Sequence, residues 1–338
     1  MIWKTIVGKI QEIAAMFSLS ANSLLILLVL TKSPKQIGSY KYLIIYISVF
    51  EMCYSILDVI LEPMTLSRES IFIVFVNIEN AYFSRNTYLI LISMWGAFFG
   101  SFMGLFALQF IYRYLVASSS RLIKTFQSYK LFLWMSIPVL CGLLWGFASY
   151  FFEHPDNQFD NAIRGVLQES FDWKVENVAY VGPYLYRSAN DSSSKQIHVL
   201  NTIGFIVIFA ISNSSIVLTL YCAIICFFTI KSHTNKMSKN IRNLHFQLYY
   251  ALVTQTMIPV ILMHLPVITL FSCTLFDMDL GNASSIVNVT IALFPALDPF
   301  PVMFIIKQYR KEIIKRLRSW TKSRTTINTQ VQMITLRF

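Results

Sequence analysis

Charged side chains are scarce in this sequence. They make up 13% of its 338 residues, whereas 55% of the residues are hydrophobic and the mean hydropathy is +0.56. Soluble domains carry about a quarter charged residues, because their surfaces face water. The composition therefore excludes an ordinary soluble domain and indicates a polytopic membrane protein. The formal net charge of +11 does not indicate nucleic-acid binding, because the basic residues lie in short segments between apolar runs.

Cysteine and histidine are also rare, with five residues of each type, and this rarity excludes several kinds of site. None of these residues is spaced as a set of metal ligands. His264 is the only histidine well inside an apolar run, and the last apolar run has no lysine that could bind retinal. The sequence also lacks a phosphate-binding loop and a catalytic dyad. It therefore predicts no cofactor, no metal and no enzymatic activity.

One run without any charge is long enough to cross a membrane. The segment from Asn86 to Tyr112 contains no acidic or basic residue. As a helix it would reach ~40 Å, whereas the hydrocarbon core of a bilayer is ~30 Å thick. Its small residues, among them Gly96, Gly100 and Gly104, favour close approach of neighbouring helices on several sides. We expect this segment to be the central helix of a bundle.

Six further apolar runs complete the prediction of an all-α membrane protein with seven transmembrane helices in residues 1–306. The predicted spans are about 13–31, 41–62, 88–113, 131–152, 199–230, 246–274 and 284–306. Residues 153–195, which are polar and acidic, are predicted to form a long extracellular loop that covers something. Residues 307–320 are predicted to form a cytoplasmic amphipathic helix, and residues 321–338 a disordered tail.

The connections between these spans differ in charge. One set holds 20 basic residues and one acidic residue, whereas the alternate set holds 8 basic and 13 acidic residues. The basic set consists of residues 32–41, 113–130, 231–242 and 307–338. Because basic connections stay in the cytoplasm, the N-terminus is predicted outside and the tail inside. Asn190 and Asn282, each in an Asn-X-Ser sequon, would then be extracellular candidates for glycosylation.

Acidic residues inside membrane spans are costly and therefore informative. Glu51, Asp298 and Asn22 have similar predicted depths in the second, seventh and first helices. We expect them to form a buried polar network that includes the Asp298-Pro299 pair. The network is either purely structural or part of a conformational switch, and the sequence leaves both readings open. Asp58, two turns further outward, is the one acid that we expect near a ligand.

Two other features of the sequence suggest moving parts. Pro259 and Pro266 predict a kink in the sixth helix, about which the helix can pivot. Arg113 ends the third helix and is flanked by Tyr112 and Tyr114. This arginine either contacts a cytoplasmic partner or is an ordinary interface residue whose charge reaches the membrane surface.

Five short motifs follow one another along nearly the whole chain. They are Gly38-Ser-Tyr-Lys-Tyr-Leu, Phe110-Ile-Tyr-Arg-Tyr, the segment from Gln247 to Pro259, Pro295-Ala-Leu-Asp-Pro, and Tyr309-Arg310. In this order they resemble the nematode serpentine chemoreceptors of the Str class. The resemblance implies a G-protein-coupled receptor in the plasma membrane of a chemosensory neuron, displayed on its cilium. Such receptors sense small, often volatile molecules.

The resemblance also assigns roles to some residues and departs from the family pattern at others. It implies that Arg113, with Tyr112 and Tyr114, contacts a heterotrimeric G protein. Tyr112 replaces the acid that precedes this arginine in rhodopsin-like receptors, so an ionic lock to that neighbour is excluded. Asp298-Pro299 is similar to their Asn-Pro motif, and the usual disulfide of the second outer loop lacks its cysteines. The Ser/Thr-rich tail suggests arrestin or a kinase as further partners.

A ligand pocket is expected in the outer half of the bundle, beneath the acidic loop. Its candidate residues are Tyr88, Met94, Trp95, Phe98, Asp58, Met263 and His264. Ordinary helix packing is the alternative for each aromatic candidate. Two other functions also stay open: a seven-span ligand-gated channel of the insect odorant type, with its N-terminus inside, and a transporter. The two halves of the chain show no repeat of the kind that transporters favour.

Overall fold

The computed structural model describes residues 2–34, 37–80, 82–189, 192–232, 239–280, 282–316 and 318–319. Within these residues, seven helical segments are long and apolar enough to cross a membrane. They are Thr5–Lys32, Tyr40–Leu61, Arg85–Ala117, Leu131–Phe152, Val199–Ser232, Arg242–Leu275 and Ile286–Ile305. The predicted all-α bundle of seven membrane-spanning helices is thus confirmed.

Two of the spans consist of two helices each, and two helices lie outside the spans. The helices are α1 (Ile2–Lys32), α2 (Tyr40–Leu61), α3 (Arg85–Ala117), α4 (Leu131–Phe152), α5 (Asn157–Phe171), α6 (Val199–Ser232), α7 (Lys239–Pro259), α8 (Leu265–Leu275), α9 (Ile286–Leu297) and α10 (Pro299–Ile305). Residues 307–316 form a further helix, α11. α7 with α8 makes the sixth span, and α9 with α10 makes the seventh.

The first helix begins well before Ile13, where the apolar run starts. Val7 and Gln11 of its first turns are buried against the rest of the protein. The Gln11 side chain donates a hydrogen bond to the Pro63 carbonyl oxygen at 3.3 Å. Hydropathy does not detect these turns, because Lys9 and other polar residues interrupt the apolar pattern while the backbone continues as a helix.

The third helix lies at the centre of the bundle, where α3 contacts α2, α4, α6 and α7. Its small residues bring α4 closest. A methyl group added at Gly100 would lie 2.7 Å from the Cys141 carbonyl oxygen, and one at Gly104 would lie 2.8 Å from Cα of Pro138. Both contacts are with α4. The small residues therefore allow close packing against this one helix, rather than on several sides of α3.

A π-helical turn, Val260–His264, joins α7 to α8 and lies between the two predicted kink residues, Pro259 and Pro266. Pro266 has no N–H group, and its ring clashes with the carbonyl of the residue four positions earlier. The N–H of Leu265 accordingly donates to the Val260 carbonyl oxygen, five residues earlier. The sixth span is thus irregular in its middle, where such wide turns often mark functional sites.

A small sheet and one helix cover one end of the bundle. Strands β1 (Met64–Arg68), β2 (Ile71–Asn77) and β3 (Val178–Val181) form an antiparallel sheet in that order. We call this sheet together with α5 the lid, and the end of the bundle that it covers the lid end. The opposite end, next to α11, is the tail end. A hairpin of β4 (Tyr186–Ala189) and β5 (Ser192–Ile197) follows the lid in the chain.

The lid sheet is apolar on both faces because both faces are covered. Successive side chains of a strand point to opposite sides. On β2, Ile73 and Phe75 pack against α5, whereas Phe72 and Val76 pack against the helices of the bundle. The buried residues of α5 recur every four positions along one face, as its half-buried location requires: Phe159, Ile163 and Leu167.

A buried arginine ties the lid to the bundle. Arg187 bonds to the Asp156 carboxylate at 2.5 Å and to Oδ1 of Asn201 in α6 at 2.8 Å. Asp156 also accepts a hydrogen bond from the Phe159 N–H and so caps α5. Burial acts to raise the pKa of Asp156, but the bonds from Arg187 and the Phe159 amide, with the arginine charge, lower this pKa overall.

A second link joins the lid to the start of α3. Asp160 of α5 accepts from the Arg85 guanidinium at 3.2 Å and from the Tyr180 hydroxyl at 2.8 Å. All five cysteines of the chain are free. Packing, ion pairs and hydrogen bonds therefore position the lid where a disulfide is absent, in agreement with the distribution of cysteines in the sequence.

At the tail end, α11 has one side against the bundle. Tyr309 is fully buried and its hydroxyl lies 2.6 Å from that of Ser33. Ile313 packs on the same cluster, whereas Arg310 and Lys311 are exposed. Leu317, Trp320 and residues 321–338, on which the predicted amphipathic face and disordered tail also depend, lie outside the described residues.

Candidate functional site

A cavity of about 60 Å³ lies beneath the lid, among α3, α4, α6, α8 and α9. Since ~10–15 Å³ is enough to hold one water, the cavity has room for a molecule larger than a single water. Aromatic side chains form much of its wall: Phe72, Trp95, Phe99, Trp145 and Phe271. The polar side chains that reach it, apart from the indoles, are Thr65, Ser149 and Glu153. We call it the lid cavity, and its composition suits a small, mainly apolar molecule.

Two of the predicted pocket residues, Trp95 and Asp58, are bonded to each other. The Trp95 indole N–H donates to Oδ1 of Asp58 at 2.9 Å, and both side chains are buried. Trp95 lines the lid cavity, whereas Asp58 lies behind it. The ring of Phe99 packs against Trp95 with a centroid distance of 4.8 Å. The bond to Asp58 therefore fixes the orientation of the Trp95 indole in the cavity wall.

Met263 and His264, also predicted, line a smaller cavity of about 20 Å³. The two cavities share walls at Phe99, Trp145, Val267 and Phe271. His264 lies in the π-helical turn, with Nδ1 3.0 Å from the Pro259 carbonyl oxygen and Nε2 2.7 Å from the Met103 sulfur. The cavity at the π-helical turn of the sixth span thus shares a wall with the lid cavity.

Besides Asp58, three predicted pocket residues line neither cavity. Met94 is 50% exposed on the outer surface of the bundle. Phe98 is half-buried and packs against Tyr54, and Tyr88 is half-buried beside Phe83. The prediction used only the depth of each residue in the membrane. Direction around α3 separates Met94 from Trp95, because consecutive helical residues point about 100° apart.

Sequence reasoning missed the contributions of α4 and of the lid to the cavity wall. Trp145, Ser149 and Glu153 are four residues apart, so they lie along one face of α4, and all three line the lid cavity. Glu153 immediately follows α4 and is 4% exposed. Burial raises the pKa of its carboxyl group to about 8. The spacing of four was the signal that could have identified these residues.

The predicted polar network is assembled in the middle of the bundle. Asn22, Glu51 and Asp298 are fully buried. The Glu51 carboxyl group lies against the Asp298 carboxyl group and the Asn22 amide. Gln255 of α7, which the sequence analysis did not include, donates from its amide to Oδ2 of Asp298. The network therefore joins α1, α2, α7 and α9, and it includes the span that carries the kink.

Pro299 accounts for one of these contacts. It opens α10 and, as a proline, cannot donate a hydrogen bond to the Pro295 carbonyl oxygen four residues earlier. The Asn22 amide donates to that oxygen instead, at 3.2 Å. The Asp298-Pro299 pair thus ties the break between α9 and α10 to the first helix.

Removing the Asp298 carboxylate should lower stability. In Asp298→Leu the buried Gln255 amide loses its acceptor, and an unpaired buried polar group costs about 1–3 kcal/mol. We expect the melting temperature of the purified protein in detergent to fall by about 2–4 °C for each kcal/mol lost. Asp298→Asn is the control, because it retains an oxygen acceptor. Equal melting temperatures for Asp298→Leu and the unchanged protein would contradict this role.

Arg113 lies at the tail end of α3 and is buried rather than exposed at an interface. Its guanidinium carbon is 3.5 Å from the centre of the Tyr40 ring, and Tyr40 stacks on Tyr112 at 5.5 Å. Among the described residues, Nε and Nη2 of Arg113 have no hydrogen-bond partner, and no carboxylate forms an ion pair with it. Tyr114 packs separately, towards α6 and α7.

Of the two candidate glycosylation sites, one lies in the described part of the chain. Asn282 opens a short 3₁₀ turn, Asn282–Ser285, that contacts β1 at the lid end. Asn190 lies outside the described residues.

Comparisons with known proteins agree with this architecture. Residues 8–314 match the sequence model of the family described as serpentine type 7TM GPCR chemoreceptor Str. G-protein coupled receptor str-217 of Caenorhabditis elegans is 34% identical over 304 residues, which cover 89% of this chain and 87% of that protein. Serpentine receptor class r-10 of the same organism is 29% identical, with 98% of each chain covered.

Squid rhodopsin has a similar fold, with a TM-score of 0.61 at 11% sequence identity over 95% of this chain and 86% of that one. The family match and the identity to str-217 confirm the resemblance that the sequence motifs indicated. The chain belongs to the Str family of serpentine seven-transmembrane G-protein-coupled chemoreceptors, which are receptors and not enzymes.

Proposed function

We propose that this chemoreceptor binds a small, mainly apolar and volatile molecule in the lid cavity and thereby activates a heterotrimeric G protein at the tail end. The observation that carries the proposal is the aromatic cavity beneath the lid, one wall of which carries polar side chains at and next to α4. Small-molecule sites are mostly apolar, with a few polar groups that fix orientation. A transporter or a channel would instead need a path for its substrate through the bundle.

The proposed orientation places the lid end outside the cell and the tail end in the cytoplasm. Charge supports it, because the segments at the tail end hold 20 of the 28 basic residues. Asn282 would then be accessible to glycosylation. The basic residues of α11 would face the anionic inner leaflet, and the Ser/Thr-rich tail would be the substrate of a kinase or the contact of arrestin.

A route between the two ends passes through the sixth span. The lid cavity borders the smaller cavity at Met263 and His264 in the π-helical turn. Gln255, on the same span, donates a hydrogen bond to Asp298 of the polar network. A ligand that shifts the turn would therefore also shift the polar network above Arg113. We propose that this coupling moves α6 and α7 and opens a groove for the G protein. The plasma membrane of a sensory cilium is the proposed location.

Two epitope tags test the topology without a ligand. One tag is inserted at Asp191 and the other follows Phe338, and antibody access is measured on intact and on permeabilised cells. We expect the Asp191 tag to be stained on intact cells and the tail tag only after permeabilisation. The reverse pattern would contradict G-protein coupling at the tail end and would favour the inverted ligand-gated channel, to be tested by ligand-evoked current.

A further inference from the structure

One wall of the lid cavity carries three polar side chains in a row, two on α4 and one on the residue that follows it. Trp145, Ser149 and Glu153 each line the cavity and are 4–6% exposed. Among the described residues none of the three side chains has a hydrogen-bond partner. Buried polar groups are nearly always paired. The polar atoms of these three side chains are not among the fully buried, unpaired atoms of the described residues; they line the cavity, so a molecule bound there can supply their partners.

The backbone around these side chains leaves room for that molecule. A methyl group added at Gly96 of α3 would lie 3.3 Å from the Trp145 indole nitrogen and 3.9 Å from the Ser149 hydroxyl oxygen. Glycine at this position thus keeps the space in front of two donors open. The third donor is fixed beneath the lid, because the Glu153 carbonyl oxygen accepts from the Gly182 N–H at 3.3 Å.

The chemistry of this row favours a neutral ligand with an acceptor atom. The indole N–H can only donate, and the serine hydroxyl can donate to any acceptor. Burial raises the Glu153 pKa to about 8, so its carboxyl group is mainly protonated at neutral pH and donates as well. A hydrocarbon would leave the donors unpaired, whereas an ammonium group could not pair with the indole N–H and would require Glu153 to lose its proton.

We propose that α4 recognises the polar end of the ligand, which is a small neutral molecule with one hydrogen-bond acceptor held by Trp145, Ser149 and Glu153. The apolar part of the ligand then contacts the aromatic wall formed with α3 and α8. The inference rests on the proposed function of the lid cavity as the ligand site. It adds the class of ligand and three residues that determine specificity.

Two probes of nearly equal shape and one cation of similar size test the proposal on the purified full-length receptor in lipid nanodiscs. Benzonitrile carries an acceptor nitrogen, ethynylbenzene is its hydrocarbon counterpart, and benzylamine is a cation. Binding is measured by equilibrium dialysis. We expect benzonitrile to bind roughly 3- to 10-fold more tightly than ethynylbenzene, the effect of one net hydrogen bond. The infrared C≡N stretch of bound benzonitrile should show the shift of a hydrogen-bonded nitrile.

Variants of α4 connect this preference to the named residues. Ser149→Ala and Glu153→Leu should each reduce the preference for benzonitrile and the infrared shift. Ser136→Ala is the matched control, because Ser136 lies on the same helix, is exposed and bonds only to the Leu133 carbonyl oxygen. It should leave both quantities unchanged.

The pH dependence separates a donating carboxyl group from a charged one. Benzonitrile affinity should fall between about pH 7 and about pH 9, as Glu153 loses its proton around its pKa of about 8. In Glu153→Gln, whose amide donates at every pH, the decrease should disappear. Among the groups that neighbour Glu153, hydrogen bonds from Arg187 and the Phe159 amide lower the pKa of Asp156 despite its burial. Burial and the Arg187 charge lower the pKa of His198. Both shifts move these groups away from the range of the test.

Three outcomes would overturn the proposal. They are equal binding of benzonitrile and ethynylbenzene, tightest binding of benzylamine, and an infrared shift that the α4 variants leave intact. Tightest binding of benzylamine would instead make Glu153 the counter-ion of an amine. Because the assay contains no G protein, a failure of coupling at the tail end would not affect it, and the two proposals can fail separately.

Discussion

Replacing Gly182 with alanine should open the lid sheet between β2 and β3. A methyl group at this position would lie 2.0 Å from the Phe72 carbonyl oxygen and 2.9 Å from Cα of Ile73, and both atoms belong to the backbone of β2. The φ angle of Gly182 is also +154°, which disfavours any side chain. Overpacking and backbone strain each cost about 1–3 kcal/mol. Because no flexible side chain can move aside, β2 and the end of β3 must separate.

Hydrogen exchange measured by mass spectrometry tests this expectation. In Gly182→Ala the amides of β2 and β3 should exchange faster, and a protease should cut the lid sooner, while the helices of the bundle remain protected. Gly165→Ala is the matched control, since Gly165 lies on α5 with no atom within 4 Å of the added methyl group. This substitution should slow the exchange of the α5 amides slightly, because alanine favours a helix over glycine by about 1 kcal/mol. Unchanged exchange in β2 of Gly182→Ala would contradict the close approach.

The lid also shows where sequence reasoning stops. Membrane helices satisfy their own backbone hydrogen bonds, so hydropathy alone locates them. The run from Ile71 to Val76 is wholly apolar, but six residues are too few for a membrane span, so hydropathy places it in a connection between two spans. It is a strand covered on both faces, and its partner β3 lies about a hundred residues further along the chain. Such non-local pairing leaves no local pattern other than the apolar run itself.

The site was predictable in depth but not in direction. Counting helical turns places Asn22, Glu51 and Asp298 at the same depth in the membrane. They contact one another in the structure, because buried polar groups in a membrane must find partners. Trp95 and Met94 share a level but face the cavity and the outer surface, respectively. Which side of a helix faces inward depends on its neighbours. For α4, which has few buried residues, only the spacing of Trp145, Ser149 and Glu153 carries that information.

Arg113 is a buried cation held by aromatic rings. Its guanidinium lies 3.5 Å from the centre of the Tyr40 ring, and that ring stacks on Tyr112. Tyr112 occupies the position where an acid would form an ionic lock, so the described structure has a cation–π contact in its place. Such a contact contributes about 2 kcal/mol when it is desolvated. We infer that this stack stabilises the resting conformation and withholds the arginine from a G protein.

Disrupting the stack should raise signalling, and removing the arginine should abolish it. In Tyr40→Leu the loss of about 1–2 kcal/mol favours the open conformation by roughly 5- to 30-fold, so basal G-protein activation should rise. Tyr40→Phe keeps the ring and should resemble the unchanged receptor. Arg113→Ala, alone or combined with Tyr40→Leu, should show no activation at normal surface display. Nucleotide exchange on the G protein measures all four variants without a ligand, and activation by the combined variant would exclude Arg113 as the coupling residue.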